Sequence, residues 1–150
     1  MNRQLITLGG GCFWCLEAVF ELVDGVLAVE NGYSNGHVQH PTYEDVCTGT
    51  TGHNEVVRLV YDSTQITTRE VLEIFFTIHD PTTLNRQGND VGTQYRSAIF
   101  VHSAEQRSVA AAVIAEAQAH YRDRIVTEVT EPGPYWRAED YHQEYFRHNP

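Results

Sequence analysis

The sequence predicts an α+β fold, a two-layer sandwich in which helices pack on one mixed sheet of the ferredoxin-like, split βαβ type. Two successive strand–helix–strand segments occupy most of the 150 residues, and this order is typical of that architecture. The connection over residues 32–53 is polar and lacks a helix that could cross the sheet, which disfavours a doubly wound fold. A chain of this length can bury one substantial core, so residues 1–150 are expected to form a single domain.

The first predicted unit begins with an apolar strand at residues 5–8. Three glycines, residues 9–11, separate this strand from a helix over residues 16–23, where apolar side chains recur with helical spacing. Gly25 is expected to end the helix, and residues 26–31 form the next strand. Because a short helical connection joins the two strands, they are expected to run parallel.

The second predicted unit begins at residues 54–61, where alternating side chains indicate a strand with one buried face. A threonine at position 67 or 68 caps the helix that follows, and Asp80-Pro81 ends it. The remaining predicted elements are a helix over 69–79, a strand over 96–101, a helix over 104–121, an edge strand over 125–129 and a short helix over 139–146. Long polar loops precede residues 54 and 96, and such loops usually carry function in a compact domain.

Composition excludes several classes of partner. The formal net charge is -10, with ten arginines and no lysine, which disfavours nucleic acid and anionic membranes as ligands. No apolar run approaches the ~20 residues that a membrane-spanning helix needs. The chain begins Met1-Asn2-Arg3-Gln4 and then enters its first strand, so we expect a cytoplasmic protein without a signal peptide.

Three cysteines, Cys12, Cys15 and Cys47, carry the first hint of chemistry. An odd, low count disfavours a structural disulfide framework. Cys12 lies where a glycine turn leads into a helix, and the positive end of a helix dipole is expected to lower the thiol pKa there. A Cys-x-x-Cys pair at this junction favours redox or nucleophilic use over two inert buried cysteines.

Zinc is the alternative use for these thiols. A structural zinc site needs four ligands, and the chain has no second Cys-x-x-Cys pair, so histidines such as His37, His40 or His53 would have to complete it. We therefore expect no metal.

Five further side chains could support a reactive thiol. Glu55 lies at the start of a strand that buries the apolar residues on the same face. Glu55 is therefore either a desolvated acid with a raised pKa or an exposed strand-end residue. Tyr43 and Tyr95 lie in the polar loops, as hydrogen-bond donors or as packed aromatics. Phe13 and Trp14 fall off the apolar face of the first helix, so at least one is expected to be exposed beside the thiol.

Several motifs together resemble the A-type peptide methionine sulfoxide reductase family. They are Gly11-Cys12-Phe13-Trp14, Gly52-His53-Asn54-Glu55-Val56-Val57, the run from His79 to Ser97, Gly32-Tyr33, Pro41-Thr42-Tyr43 and Tyr141-His142-Gln143. They cover nearly the whole chain in order, which makes the resemblance specific.

The resemblance implies that the thiolate of Cys12 attacks the sulfur of methionine sulfoxide, releases methionine and is left as sulfenic acid. It implies that Glu55 protonates the departing oxygen and that Tyr43 and Tyr95 hold it by hydrogen bonds.

The resemblance also assigns the pocket and the substrate. Phe13 and Trp14 match the pocket for the methyl group of the substrate. Asp90, otherwise a turn residue, matches a supporting polar residue. The family acts on the S epimer, free and in oxidised proteins, and needs no cofactor.

Recycling of the sulfenic acid is where the chain departs from the family pattern. Many members have glycine at the position of Cys15, and many carry recycling cysteines in a C-terminal tail that this sequence does not contain. The candidates are Cys15, Cys47 and an external thiol. Each route implies thioredoxin or a similar dithiol as the reducing partner. The enzyme is expected to be a monomer.

Two other functions remain open at this point. A thioredoxin-like dithiol–disulfide oxidoreductase would use Cys12 and Cys15 alone and would leave Glu55, Tyr43 and Tyr95 without a role. A non-catalytic binding module would bury an inert Cys12.

Overall fold

The computed structural model describes residues 3–148, and its centre is one mixed six-stranded sheet. The strands are β1 (Arg3–Gly9), β2 (Val26–Ser34), β3 (Asn54–Asp62), β6 (Ala98–Phe100), β7 (Glu128–Thr130) and β8 (Tyr135–Arg137). Their spatial order is β7-β6-β1-β3-β2-β8, and a separate hairpin consists of β4 (Arg86–Gln87) and β5 (Asp90–Val91). The helices are α1 (Phe13–Phe20), α2 (Tyr43–Cys47), α3 (Thr68–Thr77), α4 (Ala104–Ala117) and α5 (Tyr145–His148).

The predicted split βαβ arrangement is confirmed. β3 lies between β1 and β2 and pairs antiparallel with both, so β1 and β2 run in the same direction without touching. The β1-α1-β2 unit is therefore opened by an inserted strand, which is what the split motif means. β6 pairs antiparallel with β1, and β7 pairs parallel with β6 at the edge of the sheet.

The helices and the sheet share one principal core. Alternate residues of β1 and β3, such as Ile6 and Leu59, are fully buried against α1, α3 and α4. The opposite face of the sheet carries a smaller cluster in which Val56, Ala98 and Phe100 pack with Tyr135. Because side chains alternate along a strand, Glu55 lies on the same face as Val57 and Leu59, under the helical layer.

Several element boundaries differ from the sequence prediction. α1 spans Phe13–Phe20 rather than 16–23 because the carbonyl of Cys12 already accepts the N–H groups of Cys15 and Leu16. The polar loops are also more ordered than predicted, since they contain α2 and the β4–β5 hairpin. The predicted C-terminal helix is a short 3-10 turn, Asp140–His142, followed by α5.

Among the described residues, no helix is both long and apolar enough to cross a bilayer.

Candidate active site

Cys12 and Glu55 meet because of the register between β1 and β3. Leu8 pairs with Val57, so the chain that leaves β1 through the glycine turn passes beside the start of β3. Cys12 is the N-cap of α1, and the next residue, Phe13, donates its backbone N–H to Oε1 of Glu55 at 3.3 Å. The strand pairing thus places a carboxyl group against the first turn of the helix that carries the thiol.

Glu55 is the most perturbed acid of the site. Its side chain is 1% exposed, and burial raises its pKa to about 8, with a further rise from the charge of Asp90 and an opposing effect from the Phe13 N–H. Among the described residues, Oε2 of Glu55 has no hydrogen-bond partner. Of the two alternatives that the sequence left open, the structure places Glu55 in the desolvated environment, and the raised pKa favours the protonated carboxyl group, which can donate a proton.

The thiol of Cys12 behaves differently from the sequence prediction. Burial, followed by the charge of Glu55, raises its pKa to about 12. The backbone N–H groups of Trp14 and Cys15 do lower the pKa, as expected for a helix start, but they are outweighed. The pKa of the Cys12 thiol is thus raised where the sequence predicted a lowered value, because the desolvation of the thiol outweighs the stabilisation by the helix end.

Tyr43 and Tyr95 approach the site from two loops. Tyr43 is the first residue of α2, where Thr42 supplies a side-chain cap and Glu139 accepts the Tyr43 N–H at 3.0 Å. Tyr95 ends a 3-10 turn, and the backbone carbonyl of Tyr95 accepts the N–H of Gly11 at 3.2 Å. Burial raises the pKa of Tyr43 and raises that of Tyr95 to about 12, and the charge of Glu55 adds to both shifts. Both phenols remain hydrogen-bond donors at neutral pH.

The remaining predicted residues are more exposed. Asp90 lies exposed on the β4–β5 hairpin and acts on Glu55 through its charge. All three cysteines are free; Cys12 is partly exposed, and Cys15 and Cys47 are exposed. Cys47, one of the candidates for recycling, lies close enough to Tyr43 for the two side chains to shift each other's pKa. Among the residues described, no group of three or more His, Cys, Asp or Glu side chains could hold a metal ion.

An aromatic cluster forms one wall of the site. We define it as Phe13, Trp14, Tyr43, His142 and Tyr145. Phe13 is fully buried and Trp14 is half-buried, so the expectation that at least one of the two is exposed is met only in part, by Trp14. The indole of Trp14 stacks on Tyr145, with ring centroids 3.8 Å apart and planes at 10°.

The C-terminal segment closes this wall, a role that the sequence pattern did not indicate. Glu17 of α1 is 2% exposed, and its carboxylate accepts the N–H groups of Glu144 and Tyr145. Asn31 of β2 binds the carbonyl of His142 at 2.6 Å. The motif Tyr141-His142-Gln143 was the available signal for this segment, but the pattern alone could not show that it folds back over α1.

The thiol, the protonated carboxyl group and the two phenols form an arrangement suited to thiol chemistry with proton donation, which places the protein among cysteine-dependent enzymes. Comparison with known proteins makes this specific, because the family model described as "Peptide methionine sulfoxide reductase" matches residues 4–150. The chain belongs to the peptide methionine sulfoxide reductase family.

Individual relatives agree with this assignment. "Peptide methionine sulfoxide reductase MsrA" of Saccharolobus solfataricus is 57% identical over 150 residues, which cover 98% of this chain and 85% of the relative. The crystal structure of Mxr1 from Saccharomyces cerevisiae in reduced form superposes with a TM-score of 0.95 at 39% identity and covers 99% of this chain and 87% of Mxr1. The structure of Mxr1 in complex with Trx2 matches with a TM-score of 0.69 at 28% identity, over 96% of this chain and 85% of that one.

Proposed function

We propose that the protein reduces the S epimer of methionine sulfoxide, free and in oxidised proteins, to methionine, with Cys12 as nucleophile and Glu55 as proton donor. One observation carries the proposal: the Glu55 carboxyl group beside the Cys12 thiol is buried, which raises its pKa, and its Oε2 has no hydrogen-bond partner among the described residues. A sulfoxide oxygen is a hydrogen-bond acceptor, and it must be protonated before it can leave sulfur.

The reductase step is balanced by a proton cycle between Glu55 and Cys12. Glu55 donates its proton to the sulfoxide oxygen, and Sγ of Cys12 attacks the sulfur while its own proton passes to the Glu55 carboxylate. The S–O bond then breaks as the hydroxyl group transfers to Sγ, the S–S bond formed in the attack breaks, and methionine leaves with Cys12 as sulfenic acid. The sulfoxide is reduced by two electrons and Cys12 is oxidised by two. The charge of Glu55 raises the pKa of Cys12, so the neutral acid also favours the thiolate that attacks.

The phenols and aromatics hold the substrate for this step. Tyr43 and Tyr95 would donate hydrogen bonds to the polarised oxygen, which stabilises charge that develops in the transition state. Phe13 and Trp14 would receive the methyl group and thereby select one face of the chiral sulfur. Asp90 has a supporting role through its charge on Glu55.

Recycling is proposed to proceed through Cys15. Cys15 lies on the first turn of α1, and its N–H donates to the carbonyl of Cys12 at 3.1 Å. Its thiol would attack the sulfenic acid of Cys12, expel water and leave a Cys12–Cys15 disulfide. Residues three apart in a regular helix are too far apart for a disulfide, but Cys12 is the N-cap with an extended backbone (φ -67, ψ 124), so the regular helical spacing does not apply to this pair.

Thioredoxin is the proposed reductant of that disulfide. The support is the exposed position of Cys15 together with the structural match to Mxr1 in its complex with Trx2. We further propose that residues 1–150 act as one catalytic domain and as a monomer. The low, odd cysteine count favours a cytoplasmic protein. Size-exclusion chromatography and cell fractionation test the last two points.

A single-turnover experiment without reductant tests the proposal. The reduced protein is mixed separately with the S and R epimers, and methionine formed and thiols lost are counted. We expect one methionine per protein from the S epimer only, with two thiols lost. No methionine from either epimer would overturn the proposal and favour the dithiol–disulfide oxidoreductase, which an insulin-reduction assay would then detect.

A further inference from the structure

His142 makes a hydrogen bond to Trp14, the half-buried aromatic residue of the site. Nε1 of Trp14 donates to Nδ1 of His142 at 3.0 Å, and the two rings are stacked with centroids 5.3 Å apart and planes at 29°. An indole N–H can only donate, so Nδ1 of His142 must carry a lone pair. The imidazole is therefore neutral, with its proton on Nε2.

Backbone hydrogen bonds and ring packing together hold His142 in place. The backbone carbonyl of His142 accepts the side-chain N–H of Asn31 at 2.6 Å, and the backbone N–H of His142 donates to the carbonyl of Glu139 at 2.9 Å. The ring lies 4.4 Å from that of Tyr43 and 5.4 Å from that of Phe13, measured between centroids. His142 is 1% exposed, so its position is set by packing and not by solvent.

Protonation of His142 would break this contact. A second proton on Nδ1 would face the N–H of Trp14, donor against donor. Burial lowers the pKa of His142, while the charge of Glu139 opposes that shift. The other titratable groups packed on the ring are the phenols of Tyr43 and Tyr141; α1 contributes only Phe13 and Trp14.

Nε2 of His142 is a second unpartnered atom at the site. It is buried and has no hydrogen-bond partner in the part of the chain that the structure describes, as is also true of Oε2 of Glu55. An unpaired buried N–H costs free energy, and the cost is smaller for a neutral imidazole than for a charged one. The buried, unpaired N–H of His142 therefore lowers the stability of the fold, and such a cost is common at functional residues.

We propose that neutral His142 is a positioning residue for substrate recognition: it fixes the indole of Trp14 as the wall against which the methyl group of the S sulfoxide lies. This inference rests on the proposed function, since it assigns His142 to the methyl pocket of that same site. His142 itself makes no contact with the reacting atoms; it acts through Trp14.

The test compares two substitutions of different character. His142→Phe keeps an aromatic ring but removes the acceptor, whereas His142→Asn places an amide oxygen near the position of Nδ1. In single turnover with the S epimer, we expect His142→Phe to raise the half-saturating concentration about tenfold, since loss of a buried hydrogen bond has effects of this size. The saturated rate should change less, because the pocket binds the ground state and transition state alike. His142→Asn should recover most of the loss.

A double-mutant cycle separates positioning from packing. In a Trp14→Phe background there is no indole N–H, so adding His142→Phe should change the half-saturating concentration less than about twofold. An equal effect of His142→Phe in both backgrounds, or equal behaviour of the Phe and Asn variants, would overturn the proposal. A half-saturating concentration for His142→Phe equal to that of the wild type would also overturn the proposal.

A spectroscopic titration covers the case in which a variant folds poorly. In a Trp136→Phe background, the emission of Trp14 should change in a single acid transition below the ordinary histidine pKa of 6.5, and His142→Asn should abolish that transition. A transition that persists in His142→Asn would refute the contact. This readout needs no substrate, so it distinguishes failure of the inference from failure of the proposed function, which only the epimer experiment tests.

Discussion

Oε1 of Glu55 accepts the backbone N–H of Phe13 at 3.3 Å, so the acid at the start of β3 is tied to the helix turn that carries Cys12. Oε2 of Glu55 has no hydrogen-bond partner among the described residues. The Phe13 N–H lowers the pKa of Glu55, but burial outweighs this effect and raises the pKa to about 8. The acid is thus held in position by one oxygen and available for proton transfer by the other.

Glu55→Gln tests the acid role. The amide preserves shape and hydrogen bonding but cannot donate an acidic proton, so we expect the single-turnover rate at pH 7 to fall at least about 100-fold. Glu73→Gln, at an exposed position of α3, is the matched control and should leave the rate unchanged. A loss below about threefold in Glu55→Gln would remove Glu55 from the mechanism.

The same substitution should stabilise the fold in a pH-dependent way. The pKa of Glu55 is raised in the folded state from 4.5 to about 8, so the folded state binds a proton that the unfolded state releases. The wild-type free energy of unfolding should therefore fall as pH rises from about 4.5 to about 8. Glutamine does not titrate, so Glu55→Gln should gain about 1.4 kcal/mol per pH unit over the wild type in this range.

Urea unfolding at pH 5, 6.5 and 8 measures this difference. Glu73→Gln controls for the loss of one negative charge from an acidic protein. A wild-type minus variant difference that stays constant across the three pH values would show that Glu55 is ionised in the folded state.

Cys15→Ser tests the recycling route. We expect the first methionine to form at the wild-type rate, with one thiol lost instead of two, and multiple turnovers with thioredoxin to slow. Cys47→Ser is the control, and it should still lose two thiols per methionine. If Cys15→Ser still lost two thiols and Cys47→Ser only one, Cys47 would be the resolving cysteine.

Gly11→Ala tests the turn that delivers Cys12 to Glu55. Gly11 has φ +87, and an added Cβ would lie 3.0 Å from Cβ of Gln87. Gly88 also has a positive φ, +57, but nothing lies within 4 Å of an added Cβ there. Gly88→Ala should therefore cost only the backbone penalty of about 1–2 kcal/mol, whereas Gly11→Ala should cost more and also slow the reductase step. Denaturant unfolding and single turnover together measure both effects, and equal costs at the two positions would refute the close approach to Gln87.

The sequence reached much of the fold because local patterns agreed with one another. The alternation in residues 54–61 put Glu55 on the same face as Val57, and the structure shows that both side chains are buried. The two strand–helix–strand units implied the split arrangement. α2 and β8 escaped the prediction because each is short, and both depend on tertiary contacts, such as the bond from Tyr43 N–H to Glu139 and the pairing of Tyr33 with Trp136.

The sequence by itself determined the identity of the reactive groups: a thiol between a glycine turn and a helix, a carboxyl group on a buried strand face, and aromatic residues beside the thiol. Their protonation was decided by the tertiary structure alone. Desolvation and proximity raise the pKa values of both Cys12 and Glu55, and neither effect exists until β3 lies beside β1. The fold-back of the C-terminal segment likewise brings His142 to Trp14, a contact across 128 residues that no local pattern encodes.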